Sequence, residues 1–213
     1  MMANKKAIFW DNDGVLVDTE RYYFEANRQI LRKVGFELTK ALYIELYLTQ
    51  SKGAWHLLDH EKYSSDDILN LRQERDDLFN EFLSTKEIWI DGIEDIVAAL
   101  SERYRMAIVT SSKPMHFNAI HSRTNLLKYF EFVIGPDDYT KYKPDPEPYL
   151  VAIERMSVGS KEGIAIEDSR RGLLSAKAAG LECIMVKNEL TENSDFSQAD
   201  YVLTNIGNLT QIL

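Results

Sequence analysis

Two aspartates spaced i, i+2 close a short apolar run: Ala7-Ile8-Phe9-Trp10-Asp11-Asn12-Asp13-Gly14. Four apolar residues ending in carboxylates and a glycine have the pattern of a buried parallel strand at its carboxyl end. Ligands in such sheets bind beyond that end, so Asp11 and Asp13 are candidates for chemistry. Gly14 would let the backbone turn sharply or approach a ligand closely. Asp13-Gly14 between two apolar runs is also a hairpin signal, and this stretch alone leaves that alternative open. Three later apolar runs end in polar groups too. Met106-Ala107-Ile108-Val109 leads to Thr110-Ser111-Ser112-Lys113, Phe132-Val133-Ile134 to a loop holding Lys143-Pro144, and Ile164-Ala165-Ile166 to Glu167-Asp168-Ser169.

Successive strands of a parallel sheet end on one edge. Asp11, Asp13, Glu167 and Asp168 would then meet the Thr110 hydroxyl and the Lys143 ammonium in one crevice. Four bare carboxylates in a crevice repel one another. A hard divalent cation with oxygen ligands resolves the conflict, and Mg²⁺ is the usual one with one or two carboxylates plus a phosphate. Metal and lysine together define a site for a dianionic group. A carboxylate there can attack phosphorus and split a hard hydrolysis into two steps, with catalysis mainly by positioning and charge neutralisation.

The elements that must position these groups follow from periodicity. Tyr23, Ala26, Ile30 and Val34 recur at three- and four-residue steps and Gly35 supplies a stop, which predicts a helix over 19–36. A second apolar-rich segment spans 39–50 and is broken by Ser51-Lys52-Gly53. Ser64 and Ser65 before Asp66-Asp67 form an N-cap with first-turn acids, and Ile68, Leu71, Leu78, Phe79 and Phe82 continue a helical stripe to about residue 85. No strand-like alternation occurs from 19 to 86, so this block reads as a small helical bundle. From Ile88 helices and strands alternate: helices over about 93–103, 114–125, 146–156 and 170–179, and strands at 106–109, 132–134, 164–166, 183–186 and near 201–203. That alternation points to βαβ units around a parallel sheet, with the helical block as an insert after the first strand.

Composition bounds the rest. The 213 residues are 45% hydrophobic and 28% charged, an ordinary globular balance rather than a disordered one. A net charge of −9 argues against nucleic acid as a main partner. No apolar run approaches the length of a membrane span, and the run after Lys5-Lys6 is too short for a signal peptide. The lone Cys183 forms no internal disulfide and is expected to pack as a small hydrophobe, which suits a reducing, cytoplasmic setting. A monomer is the default expectation.

With these residues in place the chain resembles the haloacid dehalogenase superfamily. Asp11-Asn12-Asp13-Gly14-Val15 matches its first motif, Thr110 its second, Lys143-Pro144 its third and Glu167-Asp168 its fourth. The run Ile166-Glu167-Asp168-Ser169-Arg170-Arg171-Gly172 through Ala178-Ala179-Gly180 adds to the match. The resemblance is to the branch with a helical cap after the first strand, which includes phosphoglycolate phosphatases and β-phosphoglucomutases. It implies a three-layer Rossmann-like α/β fold with strand order 3-2-1-4-5. Residues 1–18 and 88–213 would form the catalytic core and residues 19–87 a cap closing over its active edge.

The resemblance also implies roles. Asp11 would be the nucleophile that forms an aspartyl-phosphate and a Mg²⁺ ligand. Asp13 would protonate the leaving oxygen and then activate water, with its backbone carbonyl on the metal. Thr110 would hydrogen-bond the transferring phosphoryl, with the Ser111 N–H beside it, and Lys143 would neutralise phosphoryl and nucleophile. Asp168 would ligate Mg²⁺ directly, and Glu167 directly or through water. Lys113 is a further candidate for phosphate contact, and Gln50, Ser51 and Lys52 fall near the cap loop that such families use to select substrate. Dehalogenases of the superfamily lack an acid at the position of Asp13, so its presence implies phosphoryl chemistry on a small phosphorylated metabolite.

Two positions depart from the family pattern. Asn12 replaces the usual apolar residue between the acids, which is expected to alter loop packing. Mutases of this branch tend to carry a histidine twelve residues after the nucleophile, where this chain has Tyr23, and that favours plain hydrolysis over the alternative of a sugar-phosphate mutase. A receiver-type phospho-accepting module also gathers acids, Thr/Ser and Lys around Mg²⁺, but in about half this length and without a helical insert. A metal-binding protein that has lost catalysis fits poorly with all four motifs intact. His56 and His60, i and i+4 on an expected helix, have no evident third ligand and read as solvated or packing residues. His116 and His121 are expected to be ordinary helix residues. The aromatic cluster Tyr22, Tyr23, Phe24, Tyr43, Tyr47 and Trp55 is expected to be bundle core, with one or two members against substrate.

Overall fold

The structure is a computed structural model that describes residues 4–213. Strand β1 spans Ala7–Trp10 and is buried on both faces. The helical block follows, with α1 over Glu20–Lys33, α2 over Lys40–Tyr43 running on as a wide π-helical turn Ile44–Thr49, and α3 over Ser65–Thr85. Alternation then begins: α4 Ile93–Ser101, β2 Arg105–Val109, α5 Pro114–His121, β3 Phe132–Ile134, α6 Glu147–Met156, β4 Gly163–Glu167, α7 Arg170–Ala178, β5 Glu182–Val186, β6 Tyr201–Leu203 and α8 Leu209–Ile212. The strands form one parallel sheet in the order β3-β2-β1-β4-β5-β6, which is the expected order with β6 added at the edge. β1 lies between β2 and β4, parallel to both, so Asp13-Gly14 does not turn a hairpin.

Side chains of β1 alternate between two core layers, as a doubly covered strand requires. Ile8 and Trp10 pack with Val97 and Leu100 of α4 and Leu209 of α8. Ala7 and Phe9 pack on the opposite face with Ala152 and Met156 of α6 and Leu173 and Ala176 of α7. Cys183 belongs to this second layer and is buried. No helix among the described residues is long and apolar enough to cross a membrane.

The helical block has its own cluster, built on Ile30, Leu31, Leu38, Tyr43 and Tyr47. A further cluster joins it to the sheet layer through Ala26 and Phe79 on one side and Ile120 of α5 on the other. The α3 N-terminus is a capping box: the Asp67 N–H donates to the Ser64 hydroxyl at 3.2 Å, and the Ser64 N–H donates to the Asp67 carboxylate at 2.9 Å. The chain leaves the sheet beside the point where it returns, and the Asp18 N–H donates to the Ile88 carbonyl at 2.9 Å. The helix from Pro114 is shorter than its sequence pattern suggests. It stops at His121, and a separate 3₁₀ turn covers Leu126–Tyr129. His56 and His60 do not share a helix: Trp55–Leu57 is a single 3₁₀ turn, and both histidines are exposed.

Candidate active site

Register brings the chemistry together. Trp10 pairs with Ile108 of β2 and with Ile166 of β4, so Asp11, Thr110 and Glu167 leave the same sheet edge. The Asp11 N–H donates to the Ile166 carbonyl at 2.9 Å and the Thr110 N–H to the Ile134 carbonyl at 2.9 Å, extending the ladder to these residues. At the centre lies Lys143, 2% exposed. Its ammonium donates to Asp11 Oδ1 at 2.9 Å, Glu167 Oε1 at 2.7 Å and the Val109 carbonyl at 2.8 Å, using all three protons. Burial alone would lower the Lys143 pKa, but the charges of Asp11 and Glu167 outweigh it and hold the ammonium protonated.

Asp11, Glu167 and Asp168 offer carboxylate oxygens that lie within 4.8 Å of one another. Burial, with the charge of Glu167, raises Asp11 despite Lys143. Burial with the charges of Asp11 and Glu167 raises Asp168 strongly. One ammonium cannot balance three buried acids. An all-oxygen set with excess negative charge fits a hard divalent cation, whose charge would oppose both shifts. The Asn188 amide donates to Asp168 Oδ2 at 2.7 Å and orients it. Gly14, at φ +82°, is the floor of this cluster: a Cβ there would stand 2.0 Å from Asp168 Oδ2. Glu167 is held on every side. Besides Lys143, the Tyr149 hydroxyl donates to it at 2.7 Å and the Ser169 hydroxyl at 3.3 Å.

Asp13 bonds to a different set of groups from Asp11. Its Oδ1 accepts from the Thr19 hydroxyl, and its Oδ2 from the Ser112 hydroxyl and, at 3.2 Å, from the Asn12 amide. Thr110 is buried, and its hydroxyl accepts from the Ser112 N–H at 3.0 Å. A cavity of about 420 Å³ opens over these groups. Its floor includes Asp11, Asp13, Asp168, Ser111 and Lys113, and its roof, from the helical block, includes Tyr23, Tyr47, Lys52, Trp55, Arg72 and Arg75. The buried Ser111 hydroxyl makes no hydrogen bond among the described residues.

Gln50 is the exception among the expected substrate contacts. It is exposed, and its amide donates to Glu45 at 2.6 Å instead of facing the cavity. The wide π-helical turn before it rotates its side chain outward. Its neighbour Ser51 faces inward, donating to the Lys143 carbonyl at 2.6 Å.

Several site residues carry no signal in the sequence. Arg75, 2% exposed, donates to Asp76 at 2.9 Å, the Tyr23 hydroxyl at 2.7 Å and Asn27 at 2.9 Å. The Asp76 carboxylate also accepts from Lys113 at 2.6 Å and lies 3.2 Å from His116 Nε2. Burial pushes the Asp76 pKa up, but its bonds with His116 and Lys113 and the charge of Arg75 outweigh burial and hold it well below the usual range. His116 and His121 are therefore not ordinary helix residues, for both are buried in polar networks. Glu20 and Arg171 also line the cavity, and the Tyr43 hydroxyl donates to Glu20.

Comparison with known proteins decides the family. Residues 8–186 match the haloacid dehalogenase-like hydrolases. The chain belongs to that family. A phosphorylated carbohydrates phosphatase of Thermotoga maritima is 31% identical over 183 residues, covering 84% of this chain and 83% of that protein. The fructose-1-phosphate phosphatase YqaB of Escherichia coli is 26% identical over 195 residues, covering 88% and 99%. Among solved structures, CbbY of Rhodobacter sphaeroides in complex with phosphate superimposes with a TM-score of 0.82 at 26% identity, over 96% of each chain.

Proposed function

We propose that this hydrolase is a Mg²⁺-dependent phosphatase that cleaves phosphate monoesters of small sugars through an aspartyl-phosphate on Asp11. The observation that carries this reading is the Lys143 ammonium bridging Asp11 and Glu167 beneath the cavity, beside a second acid, Asp13, bonded to different partners. Lys143 holds Asp11 Oδ1 and leaves Oδ2 to attack phosphorus. The phosphorus–oxygen bond of the ester breaks, and Asp13 gives its proton to the departing alcohol. Asp13 then takes a proton from water, whose oxygen attacks phosphorus and releases phosphate from Asp11. Asp11, Asp168 and the Asp13 backbone carbonyl would hold Mg²⁺, with Glu167 directly or through water. The ion supplies charge neutralisation at the phosphoryl oxygens.

The helical block, residues 19–87, acts as the cap over this edge, and Lys52 and Lys113 line the substrate's path. The names of the Thermotoga and Escherichia relatives support a phosphorylated sugar as the substrate class. Tyr23 supports hydrolysis over mutase chemistry, because its hydroxyl is tied to Arg75 where mutases of this branch tend to place a histidine. The lone buried Cys183 supports a reducing, cytoplasmic setting.

The test is phosphate release from a panel of hexose, pentose and glycolate phosphates with and without Mg²⁺, with Asp11→Asn as control. Release lost on chelation and in the variant supports the reading. Interconversion of sugar phosphate isomers without release would replace it by a mutase. A stable acyl-phosphate with no turnover would replace it by a phospho-accepting module.

A further inference from the structure

Asn12 stands where the family usually has an apolar residue, and it is fully buried. A buried amide must find partners, and it finds one 109 positions away. His121 Nε2 lies 2.9 Å from Asn12 Oδ1, and His121 Nδ1 lies 2.8 Å from the Thr124 hydroxyl. Asn12 Nδ2 in turn donates to Asp13 Oδ2 at 3.2 Å. For a neutral imidazole, only one arrangement of protons satisfies all three contacts. The amide nitrogen points at a carboxylate, so the amide oxygen must accept from His121. Nε2 therefore carries the proton, and Nδ1 accepts from Thr124. Burial lowers the His121 pKa to about 4, against a small opposing effect of Asp13, so the imidazole is neutral and this single tautomer persists at neutral pH.

We infer that His121 and Thr124 are positioning residues that act through Asn12 to fix the orientation of the Asp13 carboxyl. Without the histidine, nothing in this chain of contacts prevents the Asn12 amide from flipping and presenting its oxygen to Asp13. The Thr19 and Ser112 hydroxyls bond one oxygen each of Asp13, and the amide adds a second donor on Oδ2. The inference rests on the reading of Asp13 as the proton donor to the leaving group.

The consequence is a dependence on the leaving group. An alkyl phosphate needs a proton on its departing alcohol, whereas p-nitrophenyl phosphate has a weakly basic leaving group and needs little help. The value of kcat/KM reports the steps up to departure of that group. His121→Phe keeps a ring in the packing beside Phe117 but removes the donor. We expect kcat/KM to fall about tenfold for the sugar phosphate hydrolysed fastest in the panel, and less than about threefold for p-nitrophenyl phosphate. His121→Gln, which restores an amide donor, should recover much of the loss. In an Asn12→Leu background, His121→Phe should have no further effect, because the two residues act in series. That apolar pair also leaves no buried polar group unpaired, so it keeps the test usable if His121→Phe alone does not fold.

Equal losses on both esters, or independent effects of the two substitutions, would overturn the inference. Asp13→Asn separates this failure from failure of the underlying reading. If it too reduced both esters equally, the donor role of Asp13 would fall with it. A measurement independent of activity is the ¹⁵N spectrum of the histidines: a neutral His121 with its proton on Nε2 supports the chain of contacts, and a proton on Nδ1 would overturn it.

Discussion

Lys143 Nζ sits 2.9 Å from Asp11 Oδ1, and both side chains are almost fully buried. Glu167 shares the same ammonium at 2.7 Å. The lysine thus neutralises two acids in a place where water cannot. Lys143→Met keeps the length of the stem and deletes the charge. It should lower kcat/KM by about 10²–10³, the scale of losing one preorganised electrostatic contact. It should also destabilise the fold by about 3–5 kcal/mol, because two buried carboxylates lose their counter-charge. Phosphate-release assays and urea unfolding read the two effects separately, and added Mg²⁺ should restore part of the stability but not the rate.

Asp76 gathers cations from both sides of the seam between α3 and α5. Asp76→Ala strands the buried Arg75 and frees Lys113, and should cost about 3 kcal/mol in urea unfolding. The pH sign follows from its depressed pKa. The stabilisation is present above the ordinary aspartate pKa and is lost as pH falls through and below it, so acid unfolding of the variant should be less steep than that of the parent.

His121 acts in a different window. Its pKa falls from 6.5 in the unfolded chain to about 4 in the fold, because burial disfavours the charged ring. Between those values the unfolded chain binds the extra proton, so stability decreases as pH falls from about 6.5 to about 4. The loss is on the order of 2–3 kcal/mol. The slope is read as the difference in unfolding free energy between the parent and His121→Phe across this range, which cancels the opposite contribution of the raised acids Asp11 and Asp168.

Gly14 combines a left-handed backbone with a contact that no side chain can share. Gly14→Ala should push Asp168 out of place and weaken divalent-metal affinity at least tenfold, with about 1–2 kcal/mol of backbone strain added. Titration with Mn²⁺ followed by electron paramagnetic resonance measures the first, and thermal unfolding without metal the second. An unchanged affinity would remove Asp168 from the metal set.

The sheet was legible because its strands are apolar runs buried on both faces, and each run ends where the polarity changes. The convergence of Asp11, Thr110, Lys143 and Glu167 follows from that edge alone. The roof of the cavity was legible only in part: Lys52 and the aromatics Tyr23, Tyr47 and Trp55 stood out in the sequence, and Arg72 and Arg75 did not. Arg75-Asp76 in the middle of a charged helix looks like a solvated face, and only the packing of α3 against α1 and α5 buries it. Of the neighbours Gln50 and Ser51, both expected near the cap loop, only Ser51 faces the cavity, because a π-helical turn shifts the phase by which side chains leave a helix. The bond between His121 and Asn12 has no local pattern at all, since its halves sit on separate elements.

The hydrogen bond from Asp18 to Ile88 makes the departure and return of the helical block near neighbours. For a segment whose two ends meet at the sheet, the closure entropy grows only slowly with its length, by about 0.6 kcal/mol per doubling. The middle of the block can therefore be lengthened while the acids at the sheet edge stay where they are, as long as Thr19 keeps its bond to Asp13. On the proposed function, selectivity and reactivity then sit in stretches of chain that can change separately.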